Sequence, residues 1–161
     1  MRRLFLILLV SLLVVPAAAL AAVRGAGDGT VVVKNAAGKV TVVGKGTIFG
    51  HFDDGTLTVV DYNPDDLKDP QVSGAERFWV KSDTTTRYAG TDVRFLFSGG
   101  SYKIIVYGTG VDISAVGKGK VTALGDATVA NDGTVAVNGT KPVAIQPFTA
   151  TTLTFGTIVT P

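Results

Sequence analysis

Runs rich in β-branched residues alternate with clusters of glycine, asparagine and aspartate from residue 25 onward. Such runs, bounded by turn-forming residues, are typical of β-strands. Asp-Gly and Gly-Gly pairs favour tight hairpin loops because both residues tolerate a positive φ. The pattern predicts four hairpins, whose strands are residues 30–34 and 39–43, 47–52 and 56–61, 92–98 and 101–107, and 127–130 and 134–138.

The hairpin around residues 99–100 has the best-defined register. A two-residue loop there, together with the alternation of side chains, puts three facing apolar pairs on one side: Phe97 with Tyr102, Phe95 with Ile104, and Val93 with Val106. The opposite side is mixed in character, as in a strand pair that covers a core. We therefore expect Phe95 and Ile104 to be core neighbours.

The remaining pattern is also of the β type. Turn signals recur about every ten residues, the spacing of sandwiches and barrels, and no window carries the apolar period of a helix. We expect an all-β protein with a single domain over residues 23–161, an antiparallel β-sandwich built from consecutive hairpins; a short β-solenoid or barrel-like sheet is the alternative. Further strands are predicted at residues 77–81, 85–88, 111–115, 118–124, 143–146 and 151–155.

Residues 38–44 and 119–125 resemble each other, since both begin with Gly-Lys-Val-Thr. One explanation for this likeness is that Gly-Lys-Val-Thr is a common sequence in β-strands. The other is a duplicated half of a sandwich. Two copies alone do not indicate a solenoid.

Residues 1–22 have the three-part pattern of a secretory signal peptide. Arg2 and Arg3 form a basic start, residues 4–15 are apolar, and Ala19-Leu20-Ala21 provides the small-x-small cleavage motif. The apolar run is shorter than the roughly 20 residues that cross a bilayer, which favours cleavage over a retained anchor. We expect a secreted or periplasmic protein with no transmembrane span after cleavage.

Removal of this peptide changes the charge balance. The chain has 15 basic and 13 acidic residues, and Arg2 and Arg3 leave with the peptide, so 13 of each sign remain. A balanced charge argues against nucleic-acid binding by a dominant positive field. The chain has no cysteine, which excludes disulfides, thiolate nucleophiles and cysteine-based zinc sites.

An acidic, proline-containing segment interrupts the predicted hairpins and is expected to form a long loop. Asp61, Asn63 and Asp65 make the D-x-N-x-D pattern that opens a calcium loop, and Asp69 occupies the ninth position. The glycine at position six and the glutamate at position twelve of an EF-hand loop are both missing. These four residues are a hypothetical calcium site, and an ordinary solvated loop is the alternative.

The predicted strand at residues 77–81 carries the single tryptophan. Phe78 and Val80 share one face of it, and Arg77, Trp79 and Lys81 share the other. If Phe78 and Val80 face the core, Trp79 lies exposed between two cations and suits a sugar or a protein partner. The alternative, which the usual burial of large aromatic residues favours, places Trp79 beneath a loop.

Catalytic chemistry has few candidates in this chain. His51 is the only histidine and Glu76 the only glutamate, and no G-x-S-x-G motif occurs. A hydrolase would need His51 oriented by an aspartate, or two carboxylates flanking a glycosidic bond. The predicted hairpin puts His51 opposite Thr58 near a turn, as one surface side chain. No catalytic residue is assigned, and a non-enzyme is favoured.

The signal peptide, the Gly-x-Val-x-Val runs and the glycine-punctuated residues 110–121 together resemble small secreted bacterial all-β proteins. The alternation of glycine and valine is also similar to the sheets of surface adhesins and head domains. Export, balanced charge and scarce catalytic groups favour a non-catalytic interaction or structural module of the cell envelope or extracellular space. Its partner would be an envelope protein or polysaccharide, and apart from calcium no cofactor is expected. The alternative is a small secreted, glycosidase-like hydrolase that uses paired carboxylates.

Overall fold

A computed structural model describes residues 25–65 and 69–157 of the chain. In these two ranges the protein is all-β and contains no helix, which confirms the predicted fold class. Accordingly, no helix with the length and hydropathy of a membrane span occurs in them. The predicted signal peptide, residues 1–22, lies outside the described residues.

The described residues form eight strands: β1 (Gly29–Asp61), β2 (Gln71–Ser73), β3 (Arg77–Ser82), β4 (Thr85–Phe97), β5 (Ser101–Gly125), β6 (Thr134–Val137), β7 (Val143–Ala144) and β8 (Thr151–Phe155). They build one open antiparallel sheet along the path β2-β4-β1-β5-β8, while β3 pairs with β4, and β6 pairs with β1 and β7. Antiparallel pairing differs from the parallel stacking of a β-solenoid, and the open path differs from a closed barrel.

Two of the predicted hairpin turns, at residues 35–38 and 53–55, lie inside the continuous strand β1, so both hairpins are wrong. Asn35 has a φ of 48°, and the register with β5 shifts between Val33 and Ala36, which marks a bulge. A bulge uses the same positive-φ residues as a reversal but lets the strand continue. The segments on either side of each predicted turn then pair with β5 instead of with each other.

Each long strand pairs with different strands along its length. These pairings define two series of neighbouring segments, which we call run A and run B. Run A consists, from edge to edge, of β3, residues 85–91, 54–61, 101–109, 38–45 and 118–125, and β8. Run B consists of β2, residues 92–97, 46–52, 110–117 and 29–36, β6 and β7. The strands β1, β4 and β5 therefore contribute segments to both runs.

β1 and β5 pass from one run to the other where two glycines face each other. Gly46 lies opposite Gly117, with φ values of 145° and 150°. A Cβ atom on Gly46 would collide with the carbonyl oxygen of Val116, and one on Gly117 would collide with that of Lys45. The two backbones approach so closely that only glycine fits at this crossing.

Bulges in β1 and β4 shift the inward–outward alternation of side chains by one residue where the strands change run. The apolar side chains therefore face the core in both runs. Before Asn35 the core-facing residues of β1 are odd-numbered, as at Val33, and from there to Phe52 they are even-numbered, as at Val40. Beyond residue 53 they are odd-numbered again, as at Leu57. In β4, Asp92 has a φ of 49° at the corresponding change of run. One extra residue at each such position keeps the apolar side chains inside.

The six apolar residues that were predicted to share one face around residues 99–100 are all buried in the core: Val93, Phe95, Phe97, Tyr102, Ile104 and Val106. The predicted apolar face is confirmed, whereas the hairpin itself is wrong, since β1 lies between β4 and β5 in the sheet. Phe95 lies opposite Gly50 and Ile104 opposite Val42, both in β1.

The fourth predicted hairpin is also wrong, because residues 127–130 form turns rather than a strand. The Asp126 carboxylate accepts hydrogen bonds from the backbone N–H and the hydroxyl of Thr128, at 3.0 and 2.8 Å. The buried Asp132 accepts a bond from the Asp126 N–H at 2.9 Å. Aspartate carboxylates thus accept hydrogen bonds from backbone N–H groups that strand pairing would otherwise use. β6 pairs with β1 and β7 and not with residues 127–130.

The two similar segments, residues 38–44 and 119–125, are antiparallel partners. Gly38 lies opposite Gly125, Gly44 lies opposite Gly119, and Thr41 faces Thr122 at the centre. This pairing relates the two segments by an approximate twofold axis. It places Lys39 opposite Leu124 and Lys120 opposite Val43, so the lysines of the two copies lie toward opposite ends of this pair.

Candidate functional site

β3 is the edge strand of run A and exposes both of its faces. Phe78 and Val80 are 67% and 68% exposed and Trp79 is 39% exposed, so the alternative with Trp79 buried beneath a loop is wrong. The guanidinium carbon of Arg77 lies 5.7 Å from the centroid of the Trp79 ring, within the range of a cation–π contact. Lys81 is the extra residue of a bulge, so regular alternation ends before it.

The predicted calcium loop begins at Asp61, the last residue of β1, and its other residues lie between β1 and β2. The Asp61 carboxylate accepts a hydrogen bond from the Asn63 N–H at 2.8 Å, and Asp61, Asp69 and Asp83 line a cavity of about 290 Å³. Residues 66–68 are not described, and among the described residues, these aspartates included, no three carboxylate or imidazole groups converge as metal ligands. Calcium binding by Asp61, Asn63, Asp65 and Asp69 stays a prediction.

His51 lies in a cross-strand row with charges of both signs. It faces Asp112 in β5 and Arg94 in β4. The predicted position opposite Thr58 is therefore wrong, because β1 runs straight on and carries both residues. Lys34 Nζ forms a salt bridge with Asp112 Oδ2 at 2.9 Å. These charged side chains and His51 line a cavity of about 280 Å³, so the single histidine lies beside an aspartate.

Asp112, the carboxylate of this row, is held by several hydrogen bonds and nearby positive charges. Burial raises its pKa, but the hydrogen bonds from the Asn35 N–H, at 2.6 Å, and from Lys34, with the positive charges of Lys34 and His51, outweigh burial. The net effect holds the pKa of Asp112 below its ordinary value of 3.8. Asp112 is thus a carboxylate that anchors the bulge at Asn35, and its protonated form is scarce at neutral pH.

A third cavity lies at the junction of β1, β4 and β5. It has a volume of about 440 Å³, and Glu76, Asp54, Asp126 and Tyr107 are among the residues that line it. The Thr91 hydroxyl donates a hydrogen bond to Glu76 Oε1 at 3.0 Å. The only glutamate therefore shares a cleft with aspartates and an aromatic ring.

The outward face of run A carries positive charge that sequence reasoning missed. The segments of run A contain eight lysine and arginine residues but only two acidic ones, Asp54 and Asp61, which are the ends of one segment. Inward residues such as Val40, Ile104 and Val121 are fully buried, so the residues between them point outward. In run B, by contrast, Lys34 and Arg94 each form an ion pair with an aspartate of that run, at 2.9 and 3.3 Å.

Four lysines meet at one end of this outward face: Lys45, Lys103, Lys118 and Lys120, which we call the lysine cluster. Lys45 lies directly opposite Lys118, and Lys103 and Lys120 lie opposite Val43 from its two sides. Cβ atoms of directly opposed residues are about 4.5–5.5 Å apart, and diagonal neighbours about 7–8 Å. None of these lysines forms a salt bridge with any residue in the described ranges.

The sequence indicates that these lysines point outward, but it does not indicate that they lie close together. Lys39, Lys103 and Lys120 each precede a buried aliphatic residue within a strand, which predicts an outward direction. Their proximity depends on the pairing of three segments that are far apart in the chain.

Comparisons of the chain with protein-family models, curated proteins and solved structures find no match. The resemblance to secreted bacterial all-β proteins therefore stays a prediction. The functional inferences below rest on the residues of this chain.

Proposed function

We propose that this protein is an exported, non-catalytic interaction or structural module of the cell envelope or extracellular space. The pattern of residues 1–22 supports export, since it matches the three regions of a cleavable signal peptide. A secreted or periplasmic location would bring the mature protein next to envelope proteins and polysaccharides.

For the scaffold, we propose that runs A and B stack face to face as the two layers of a β-sandwich. Phe97 of run B and Tyr102 of run A have ring centroids 5.0 Å apart, and inward residues of both runs belong to one buried cluster. Stacked sheets lie about 10 Å apart, a gap that facing side chains fill. The close crossing at Gly46 and Gly117 would let the strands turn from one layer into the other.

The observation that carries the interaction proposal is the exposed aromatic strand β3. An edge strand with exposed apolar side chains on both faces is a liability unless something covers it. Tryptophan and arginine, the residues stacked here as Trp79 and Arg77, are also the types most enriched in the energetic centres of interfaces. A partner would meet Arg77 and Trp79, with Lys81 beside them.

The test is retention of the mature protein, residues 23–161, by isolated envelope fractions of the producing cells. The R77A/W79A double variant should lose retention, and F148A should keep it, because Phe148 is 84% exposed but lies outside β3. Mass spectrometry of the exported protein should show an N-terminus near Ala22 or Val23. Failure of the wild-type protein to retain any envelope component would contradict the proposal.

A small secreted, glycosidase-like hydrolase is the second candidate, and the cavity shared by Glu76, Asp54 and Tyr107 favours it. Paired carboxylates separated by about 5–9.5 Å are the catalytic groups of most glycosidases. The test is release of reducing sugar from a panel of polysaccharides by wild type, E76Q and D54N, with D65N as the control. Release that E76Q and D54N both abolish would support the hydrolase, and absence of release by the wild type would overturn it.

A further inference from the structure

We propose that the lysine cluster, with the outward face of run A beyond it, binds a linear anionic polysaccharide. This inference rests on the proposed function, an exported interaction module, and names the chemical class of its partner. The ligand would carry carboxylate, sulfate or phosphate groups along a chain of sugars.

The charge arrangement within the cluster is unfavourable in the absence of a bound anion. Lys45 and Lys118 are directly opposed in neighbouring segments, and like charges in this position destabilise a sheet. The mature chain has as many acidic as basic residues, yet none of the acidic side chains described forms a salt bridge with the cluster. A bound anionic group would relieve this repulsion.

The outward face of run A is long enough for a polymer. One cross-strand row runs across all the segments of run A, from Trp79 through Arg87, Thr58, Ile105, Thr41 and Thr122 to Thr152. Six intervals of roughly 4.8 Å give this row a length of roughly 30 Å. A surface of that length suits an extended polymer better than a single small anion.

Hydroxyl, cationic and aromatic side chains lie along and beside this row. Thr122 and Thr152 hydroxyls lie 3.0 Å apart and are exposed or half-buried, so they present hydrogen-bonding groups beside the lysines. Lys39 and Arg87 extend the positive charge away from the cluster, and Trp79 offers a ring face at the far edge. Cations for acidic groups, hydroxyls for sugar hydroxyls and a ring for a sugar face are together what an acidic polysaccharide requires.

Other polyanions fit this face less well. A single-stranded nucleic acid needs several aromatic platforms along its path, whereas this row has one aromatic ring, Trp79 at its edge, and the exposed Tyr107 lies two residues from Ile105. An anionic membrane surface favours large apolar side chains that enter the headgroup region beside the cations, whereas the apolar residues nearest the cluster are the short Val43, 38% exposed, and the half-buried Ile105. A polysaccharide requires neither feature.

The experiment measures the affinity of the mature protein for a fluorescently labelled heparin oligosaccharide, a sulfated and carboxylated sugar chain. K45Q/K103Q/K120Q removes charge from the cluster, and K34Q/R94Q/K141Q removes the same charge elsewhere. We expect the first variant to bind about tenfold more weakly or worse and the second to bind within about twofold of wild type, because the contacts are local charge pairs. Wild-type affinity should fall between about 50 and about 200 mM salt, and neutral dextran should not compete.

Equal weakening in both variants would overturn the inference, because net charge alone would then explain binding. Tighter binding of the wild type to single-stranded DNA or to phosphatidylglycerol vesicles than to the oligosaccharide would overturn it in favour of those partners. Retention by envelope fractions without oligosaccharide binding would overturn this inference and leave the proposed function intact. Oligosaccharide binding without envelope retention would support the inference and contradict the proposed function.

Discussion

The rings of Phe97 and Tyr102 have centroids 5.0 Å apart and planes inclined at 49°, although their strands are not hydrogen-bonded neighbours. Because β1 lies between β4 and β5 in the sheet, the rings meet within the core instead of along a strand pair. Both side chains are fully buried, and a tilted aromatic contact adds to the stabilisation from burial. The short connection around residues 98–100 thus joins the two runs.

The first prediction concerns this core. Phe97→Ala and Ile104→Ala should each lower the free energy of unfolding by about 2–5 kcal/mol, because both side chains are fully buried. Phe148→Ala is the control, since Phe148 is 84% exposed and should change the value by less than about 0.5 kcal/mol. Urea denaturation measures all three. A loss below about 0.5 kcal/mol for Phe97→Ala would show that this face does not form the core.

The second prediction concerns the glycine crossing between the runs. Gly46→Ala should destabilise the protein more than Gly139→Ala, although both glycines have a positive φ, of 145° and 72°. A Cβ at Gly46 meets backbone atoms of β5, whereas nothing lies within 4 Å of a Cβ at Gly139. Left-handed strain alone costs about 1–2 kcal/mol. Thermal denaturation measures both variants, and an equal loss of stability in Gly46→Ala and Gly139→Ala would contradict the close backbone approach at Gly46.

The third prediction is an acid dependence that comes from Asp112. Its pKa is lowered in the folded protein, so its contribution to stability is complete above the unfolded value and is lost as the pH falls through the folded value. The difference in unfolding free energy between wild type and Asp112→Asn should therefore shrink below about pH 4. Chemical denaturation between neutral and strongly acidic pH measures it. A difference that stays constant over this range would refute the proposed hydrogen bonds and charges.

The fourth prediction uses the like-charge pair. Lys45→Glu places a carboxylate directly opposite Lys118 and should raise the unfolding free energy by about 0.2–1 kcal/mol at low salt. Lys141→Glu makes the same charge change at an exposed position between β6 and β7 and serves as the control. The gain should shrink at high salt, because screening weakens exposed charges. No gain over Lys141→Glu at low salt would show that Lys45 and Lys118 do not repel each other.

Side-chain direction in this fold follows from the sequence, but strand pairing does not. The alternation around Phe95 and Ile104 correctly predicts that both are buried, because direction depends only on neighbours in the chain. The pairing of these residues with each other is wrong, because both pair with β1. Asn35 shows why: asparagine and glycine residues that tolerate positive φ favour a hairpin turn and a bulge alike.

The candidate site divides in the same way. Arg77 and Trp79 are two residues apart on one strand, so the sequence predicts their shared face, and their contact follows. The lysine cluster and the His51–Asp112 neighbourhood each join residues from distant parts of the chain. They depend on the register between β1 and β5, which local patterns do not specify.

The most direct test of this account maps the ligand onto the surface. Amide signals of the 15N-labelled mature protein are followed during titration with a short heparin oligosaccharide. We expect shifts around Lys45, Lys103 and Lys120 that continue along run A toward Arg87, with little change around His51 and Arg94 on run B. Shifts that centre on run B, or that leave the lysine cluster unchanged, would contradict it.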